Sequence, residues 1–219
     1  MSEKLNVAVV DYGMGNVKSL ENAISRVGNF NILVTGDSDL IRGADVIVLP
    51  GVGAFAEAMK KLKDRNLLEA LNDVAIKKKK PVLGICLGMQ LLFETSEEKS
   101  LTEGLGWIPG QVVYIRPELN LRIPHIGWNS LVLSNQDSMF SFLNHDKDFY
   151  FIHSLHVECE DQYVLARFEY GDLMIAAVKN QNVVGMQFHP EKSHKNGLKV
   201  LSSFFEWAMK RIGSNHVEN

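Results

Sequence analysis

The segment Gly84-Ile85-Cys86-Leu87-Gly88 constrains the fold of this chain more than any other. An apolar run, Val82 to Ile85, ends at the cysteine, and a run compatible with a helix, Leu87 to Phe93, follows at once. A sharp turn from strand to helix is crowded, so its neighbours need to be glycine. The helix N-terminus would point free N–H groups at the sulfur, which favours a thiolate and stabilises an oxyanion. The segment predicts an elbow with Cys86 as nucleophile, although a buried cysteine ending a core strand fits the same motif.

The composition is typical of one globular domain, residues 1–219. Because 46% of the residues are hydrophobic and 22% are charged, the chain can bury a sizeable core. The net charge of −3, without a basic stripe, gives no electrostatic reason to bind nucleic acid. Two cysteines suggest no disulfide framework, and we find neither a signal-peptide core nor a stretch of membrane-spanning length. We expect a cytoplasmic protein without a nucleic-acid or membrane partner.

The order of strand and helix patterns predicts the fold class. Val7 to Val10 and Asp45 to Leu49 are short apolar runs rich in β-branched residues, and helical patterns separate them from the Cys86 strand. Such alternation predicts a parallel sheet with crossover helices. After Phe93, glycine and proline punctuate short β-like segments, and a helix from about Gly197 to Met209 closes the chain. The sequence therefore predicts an α/β fold with a parallel N-terminal half and an antiparallel, β-rich C-terminal part.

Two glycine-containing loops follow predicted strands. Asp11 to Asn16 carries two glycines, but the third glycine of a dinucleotide-binding fingerprint would fall at Lys18, so a tight turn beside an active site is favoured. Pro50 to Gly53 ends the next parallel strand, and sites in such sheets lie beyond the carboxyl ends of the strands. This loop could present backbone N–H groups to a substrate near Cys86, although the segment taken alone favours a plain strand-to-helix loop.

The segment Gln187-Phe188-His189-Pro190-Glu191 supplies partners for Cys86. A histidine can take the proton of a thiol, and a carboxylate two residues later can hold the other ring nitrogen. Together with the elbow, this segment predicts a triad of Cys86, His189 and Glu191.

A second group, His153, His156 and Cys159, could suggest a metal site. In an extended strand, however, the two histidines would point to opposite faces. We therefore predict neither a metal site nor a cofactor.

Three motifs, in this order along the chain, resemble class I (triad-type) glutamine amidotransferases: Pro50–Gly53, Gly84–Gln90 and Gln187–Glu191. Three further segments are similar to the glutaminase subunits of imidazole glycerol phosphate synthase: Asp11–Asn16, Pro124–Asn129 and Lys192–Ser193. The resemblance implies a three-layer, flavodoxin-like open sheet.

The resemblance also implies a reaction. Cys86 would attack the carboxamide carbon of glutamine, and His189, oriented by Glu191, would take the thiol proton and give it to the departing ammonia. Backbone N–H groups of the Val52–Gly53 loop and of Leu87 would hold the oxyanion. The glutamine pocket would be lined by four residues: Gly53, Gln90, His153 and Ser154. Water would then release glutamate from the thioester.

The partner implied by the resemblance is a (β/α)8-barrel cyclase bound as a heterodimer. The cyclase would receive the ammonia through a sheltered passage and make imidazole glycerol phosphate and the aminoimidazole carboxamide ribotide (AICAR) of histidine biosynthesis. Asn16, Trp128 and Lys192 are the interface candidates. We expect weak glutaminase activity when the subunit is isolated, with stronger activity when the occupied partner is bound.

One departure from the family pattern leaves alternatives open. Leu155 stands where the family commonly carries an aromatic residue, and some relatives supply ammonia to sugar amidotransferases of surface-polysaccharide synthesis. A non-catalytic scaffold is another alternative, although the intact triad argues against it. A cysteine hydrolase unrelated to glutamine is a third, but it would not need the segment from Pro124 to Asn129.

Overall fold

The computed structural model describes residues 4–116, 121–134, 138–143 and 146–215. The strands are β1 (Asn6–Val10), β2 (Asn31–Thr35), β3 (Val46–Leu49), β4 (Val82–Ile85), β5 (Phe93–Ser96), β6 (Thr102–Glu103), β7 (Ile108–Tyr114), β8 (His125–Leu133), β9 (Asp148–His153), β10 (Leu155–Glu158), β11 (Val164–Tyr170), β12 (Asp172–Asn180) and β13 (Val183–Met186). The helices are α1 (Val17–Ser25), α2 (Ser38–Gly43), α3 (Phe55–Asp64), α4 (Leu67–Asn72), α5 (Leu87–Gln90) and α6 (His194–Asn215).

The central sheet joins a parallel half to an antiparallel half. Its strand order is β2-β1-β3-β4-β13-β12-β11-β8-β9. Strands β2, β1, β3, β4 and β13 pair in parallel, and β13, β12, β11, β8 and β9 pair in an antiparallel manner. The predicted fold class is confirmed, and β13 is the strand that belongs to both halves. Its parallel pairing with β4 places the loops after these two strands side by side.

Two apolar cores cover the two faces of the sheet. On one face, Val7 and Val9 of β1 pack in a cluster that includes residues of α1 and α6. On the other face, Ala8 and Val10 pack with residues of α2, α3, α4 and a second, four-stranded sheet. The second sheet has the order β10-β7-β5-β6. Burial of β1 on both faces explains why its sequence is continuously apolar rather than alternating, and the arrangement gives three layers.

The structure corrects three predicted boundaries. The helix after Cys86 ends at Gln90, and Phe93, predicted as its continuation, begins β5. The helical pattern that precedes the Cys86 strand, Leu67 to Ile76, forms α4 followed by a π-helical turn, Asp73–Lys77. The last helix begins at His194 and not near Gly197.

No helix within the described residues has the length and apolar character needed to cross a membrane.

Candidate active site

Cys86 sits at a strained elbow between β4 and α5. Its backbone has φ 53° and ψ −111°, a combination that side-chain-bearing residues rarely adopt. Both flanking glycines are required by close packing. A Cβ on Gly84 would lie 2.6 Å from the carbonyl oxygen of Gly88, and one on Gly88 would lie 1.8 Å from that of Leu49. The predicted elbow is therefore present, and it packs directly against the end of β3.

The parallel pairing of β4 with β13 brings His189 to the elbow. Met186 is the register partner of Ile85, and the Cys86 N–H donates to the Met186 carbonyl at 2.7 Å. The His189 Nδ1 and Glu191 Oε1 atoms lie 2.7 Å apart, and both side chains are almost fully buried. Burial acts to lower the pKa of His189, but the interactions with Cys86 and Glu191 outweigh it and raise that pKa to about 10. The raised pKa keeps the His189 ring an imidazolium at neutral pH.

Hydrogen bonds to β9 hold the backbone of His189 in place. The His189 N–H donates to the Tyr150 carbonyl at 2.9 Å. The Ser193 hydroxyl donates to the His189 carbonyl at 2.7 Å and accepts from the Tyr150 N–H at 3.0 Å. Ser193 is 1% exposed. Two of these hydrogen bonds tie the turn that carries His189 and Glu191 to β9, and the third closes the turn on itself.

A cavity of about 270 Å³ opens beside the sulfur. It is lined by residues of several chain segments: Val52, Gly53, Cys86, Leu87, Gln90, Glu98, Pro124, Ile152, His153, Ser154, Leu155, His189 and Lys192. Its size suits a small polar molecule that could reach Cys86 and His189 together.

The carbonyl of Leu155 holds two side chains of the cavity lining in place. That oxygen accepts from Gln90 Nε2 at 3.2 Å and lies 2.7 Å from His153 Nδ1. Burial lowers the pKa of His153 to about 3, with the nearby His125 adding to the effect. His153 is consequently neutral at neutral pH and serves this wall as a hydrogen-bonding group rather than a charge.

The loop from Pro50 to Gly53 is held from behind by the loop after β1. The buried Tyr12 hydroxyl donates to the Pro50 carbonyl at 2.7 Å, and burial raises the pKa of Tyr12 so that it remains a donor. Gly53 has φ 110°, and a Cβ there would lie 2.7 Å from Met14 Cε. The loop that follows β3 is thereby fixed against the Cys86 elbow.

Comparison with known proteins decides the family. The family model for class-I glutamine amidotransferases matches residues 8–207. The chain belongs to the class-I glutamine amidotransferases. The Cys86 elbow and the His189 turn both lie inside the matched range.

Two relatives narrow the comparison within the amidotransferases. The imidazole glycerol phosphate synthase subunit HisH 2 of Vibrio vulnificus (strain YJ016) is 55% identical over 213 residues, which is 97% of this chain and 100% of that one. The subunit HisH 1 of Campylobacter jejuni subsp. jejuni serotype O:23/36 (strain 81-176) is 45% identical over 198 residues, covering 90% and 98%.

Solved structures support the fold. A putative GMP synthase component from Thermoplasma acidophilum superposes with a TM-score of 0.73 at 19% identity, covering 99% of this chain and 100% of that one. PurLQS from Thermotoga maritima gives a TM-score of 0.66 at 21% identity, covering 94% and 99%. These likenesses show the amidotransferase fold alone.

All the residues predicted to contact the substrate line the cavity beside Cys86. The residues are Val52, Gly53, Leu87, Gln90, His153 and Ser154, together with Cys86 and His189. Glu191 lies behind His189 and not in the cavity lining. His153 ends β9 and His156 lies in β10, so the prediction that these two histidines share one strand is wrong. Among the described residues, no group of histidine, cysteine or acidic side chains could hold a metal ion.

The three interface candidates lie at different depths. Trp128 is 46% exposed and stacks on the His194 ring, with centroids 5.1 Å apart. Lys192 lies over the Tyr150 ring and also lines the cavity. Asn16 caps α1 by accepting from the Ser19 N–H.

Sequence reasoning missed two side chains of this site. Glu98 lines the cavity and accepts from the Phe55 N–H at 2.5 Å, but it belongs to an acidic stretch that carries no motif. Gln187 is fully buried and its Nε2 lies 3.8 Å from Cys86 Sγ. A signal for Gln187 was available, since a glutamine directly after an apolar strand is buried and must find hydrogen-bond partners.

Proposed function

We propose that this amidotransferase is the glutaminase subunit of an imidazole glycerol phosphate synthase. It hydrolyses glutamine to glutamate and ammonia, and the ammonia passes to a (β/α)8-barrel cyclase of histidine biosynthesis. The observation that carries the proposal is the 55% identity to the subunit HisH 2 over 97% of the chain. The cavity that joins Cys86 to His189 supports the reaction.

In this proposal Cys86 is the nucleophile. The thiolate attacks the carboxamide carbon, and the oxyanion accepts hydrogen bonds from backbone N–H groups of Leu87 and of the Val52–Gly53 loop. His189 then gives its proton to the departing ammonia, while Glu191 keeps the ring in place through the 2.7 Å contact. Water then attacks the glutamyl thioester, its proton passes to the neutral His189 ring, and the sulfur leaves as a thiolate, which restores the starting imidazolium. The raised pKa of His189 supports this cycle, because the imidazolium is ready to protonate the leaving nitrogen.

The cavity offers groups that complement the polar ends of glutamine. Glu98 is half-buried in the wall, and a carboxylate there suits the α-ammonium group of the substrate. Both hydrogens of Gln90 Nε2 already have acceptors, the Leu155 carbonyl and Gln187 Oε1. Gln90 therefore offers the substrate only an acceptor oxygen, which suits an N–H donor such as the ammonium or the carboxamide.

The partner surface in this proposal is formed by Asn16, Trp128 and Lys192. An exposed tryptophan on a sheet face is the kind of anchor that protein interfaces use. Lys192 connects that surface to the cavity, because it lies over Tyr150 and lines the space beside His189.

The decisive experiment measures glutamate release from glutamine by the chain alone and with the barrel cyclase and its ribotide ligand. We expect a weak rate for the chain alone and strong stimulation by the occupied cyclase. Cys86→Ala should abolish both rates, and glutamate release that survives this substitution would contradict the assignment of the nucleophile.

Leu155 favours one second candidate, a glutaminase subunit that supplies a sugar amidotransferase of surface-polysaccharide synthesis. Its side chain is 7% exposed and lies in the cavity wall, where the family commonly has an aromatic residue. Active glutaminase that does not respond to the cyclase would favour this candidate. A non-catalytic scaffold is disfavoured by the intact Cys86 and His189.

A further inference from the structure

Gln187 lies near the sulfur, and the proposed reaction does not use its side chain. It follows β13, is 0% exposed, and its backbone N–H donates to the Ala176 carbonyl at 2.8 Å. Its amide lies between two groups of the site, with Oε1 3.1 Å from Gln90 Nε2 and Nε2 3.8 Å from Cys86 Sγ. A buried amide placed in this way is held in one orientation by its partners.

The orientation of the Gln187 amide follows from a series of hydrogen bonds that begins at the Leu155 carbonyl and passes through Gln90. The Leu155 carbonyl can only accept, so the atom of Gln90 that faces it at 3.2 Å is the amide nitrogen. The same Gln90 nitrogen donates to the Gln187 side chain, so the atom of Gln187 that accepts this hydrogen bond is the amide oxygen. The remaining end of Gln187, an N–H group, must then face Cys86. Turning either amide over would place two acceptors or two donors against each other.

The sulfur has different needs in its two protonation states. As a thiol, Cys86 can donate to the Ile152 carbonyl, which lies 3.7 Å from Sγ. As a thiolate, it has no hydrogen to give and needs donors, and Gln187 Nε2 supplies one from a fully buried position. The amide therefore favours the thiolate over the thiol.

We propose that Gln187 is a catalytic residue whose amide N–H stabilises the Cys86 thiolate, and that Gln90 is the positioning residue that aims it. The proposal rests on the proposed glutaminase function. The N–H acts twice, on the thiolate before attack and on the sulfur that takes back the electron pair of the C–S bond during hydrolysis. Unlike His189, Gln187 does this without losing a proton.

Alkylation of Cys86 by iodoacetamide separates this role from the rest of the reaction. The thiolate displaces iodide in one step that needs no oxyanion donors and no protonated leaving group. Gln187→Met keeps a similar volume and removes the N–H, whereas Gln187→Glu keeps the acceptor for Gln90 and places a carboxylate beside the sulfur. We expect Gln187→Met to slow alkylation at pH 7 about tenfold and to move the pH midpoint of alkylation upward, with a larger shift for Gln187→Glu.

Two controls distinguish the proposal from a loss of structure. Asn182→Leu removes another buried amide, which donates to the carbonyls of Ala75 and Lys80 at 2.8 Å. It should lower stability and leave the pH midpoint at the wild-type value. Mass analysis of peptides measures the alkylation of Cys86 separately from that of Cys159.

An unchanged midpoint in Gln187→Met would overturn the role of Gln187, whatever Gln187→Glu does, and would leave the glutaminase proposal intact. Wild-type protein whose Cys86 alkylates readily but which releases no glutamate even with the occupied cyclase would instead contradict the glutaminase proposal.

Discussion

Replacing Gly88 with alanine tests how closely the Cys86 elbow packs against the end of β3. The added Cβ would lie 1.8 Å from the Leu49 carbonyl oxygen, whereas an ordinary contact begins at 3.4 Å. The two backbones must therefore separate by about 1.6 Å. Leu49 is fully buried and directly precedes the Pro50–Gly53 loop, so the displacement moves that loop away from the sulfur.

The expected cost has two parts. Overpacking of this kind destabilises a fold by about 1–3 kcal/mol. A displacement near 1 Å at a reacting centre lowers the rate by roughly 100-fold. We therefore expect Gly88→Ala to reduce the kcat of glutamate release about 100-fold and to lower the urea midpoint of unfolding.

A graded series provides the controls. The corresponding Cβ contacts are 2.6 Å for Gly84 and 2.7 Å for Gly51, so Gly84→Ala and Gly51→Ala should cost less than Gly88→Ala. Gly43, the last residue of α2, has nothing within 4 Å, so Gly43→Ala should leave kcat unchanged and stability equal or slightly higher. A Gly88→Ala protein with wild-type kcat and urea midpoint would refute the reasoning.

Three further predictions concern His189 and its supports. Glu191→Gln removes the charge from the 2.7 Å contact between Glu191 Oε1 and His189 Nδ1, so the pKa of His189 should fall. Steady-state kinetics should show kcat lowered more than about 100-fold with little change in KM. Because the pKa of His189 is raised to about 10, the imidazolium persists from neutral to mildly alkaline pH. The kcat of glutamate release should therefore stay constant to about pH 9 and fall as the pH rises through 10. A fall in kcat centred near pH 7 would contradict this prediction. Ser193→Ala leaves the half-buried Tyr150 N–H without its partner, while the His189 carbonyl keeps the Lys192 N–H. It should cost about 1–3 kcal/mol of unfolding free energy in urea, whereas Ser202→Ala, which removes a surface hydrogen bond to Glu206, should stay within about 0.5 kcal/mol.

The elbow could be predicted from the sequence because its requirements are local. A residue at φ 53° between a strand and a helix needs glycines at fixed positions, and Gly84 and Gly88 are visible as letters. The continuous apolar runs of β1 and β3 likewise report burial on both faces, since both strands lie inside the sheet.

The missed boundaries have long-range causes. Leu87 to Phe93 has a helix-compatible pattern, but Phe93 pairs with Ile108 in the second sheet, and this pairing ends the helix early. Gly197 was assigned to the start of the last helix, yet it lies within α6, where a Cβ would come 1.8 Å from the Pro190 carbonyl. The glycine there permits close packing against the His189 turn. Glu98 could not be found at all, because its place in the cavity depends on the path of β5.

The position of β13 explains how one chain assembles this site. Cys86 and Gln187 are separated by 101 residues, yet they follow neighbouring parallel strands. The intervening chain forms the second sheet and the antiparallel half, and it returns through β12 to place β13 beside β4. That excursion also supplies the cavity wall from Ile152 to Leu155. The register between β4 and β13 therefore fixes the positions of Cys86 and His189 relative to each other. The segment between the two strands shapes the cavity wall, so changes in that segment can alter what binds without moving Cys86 or His189.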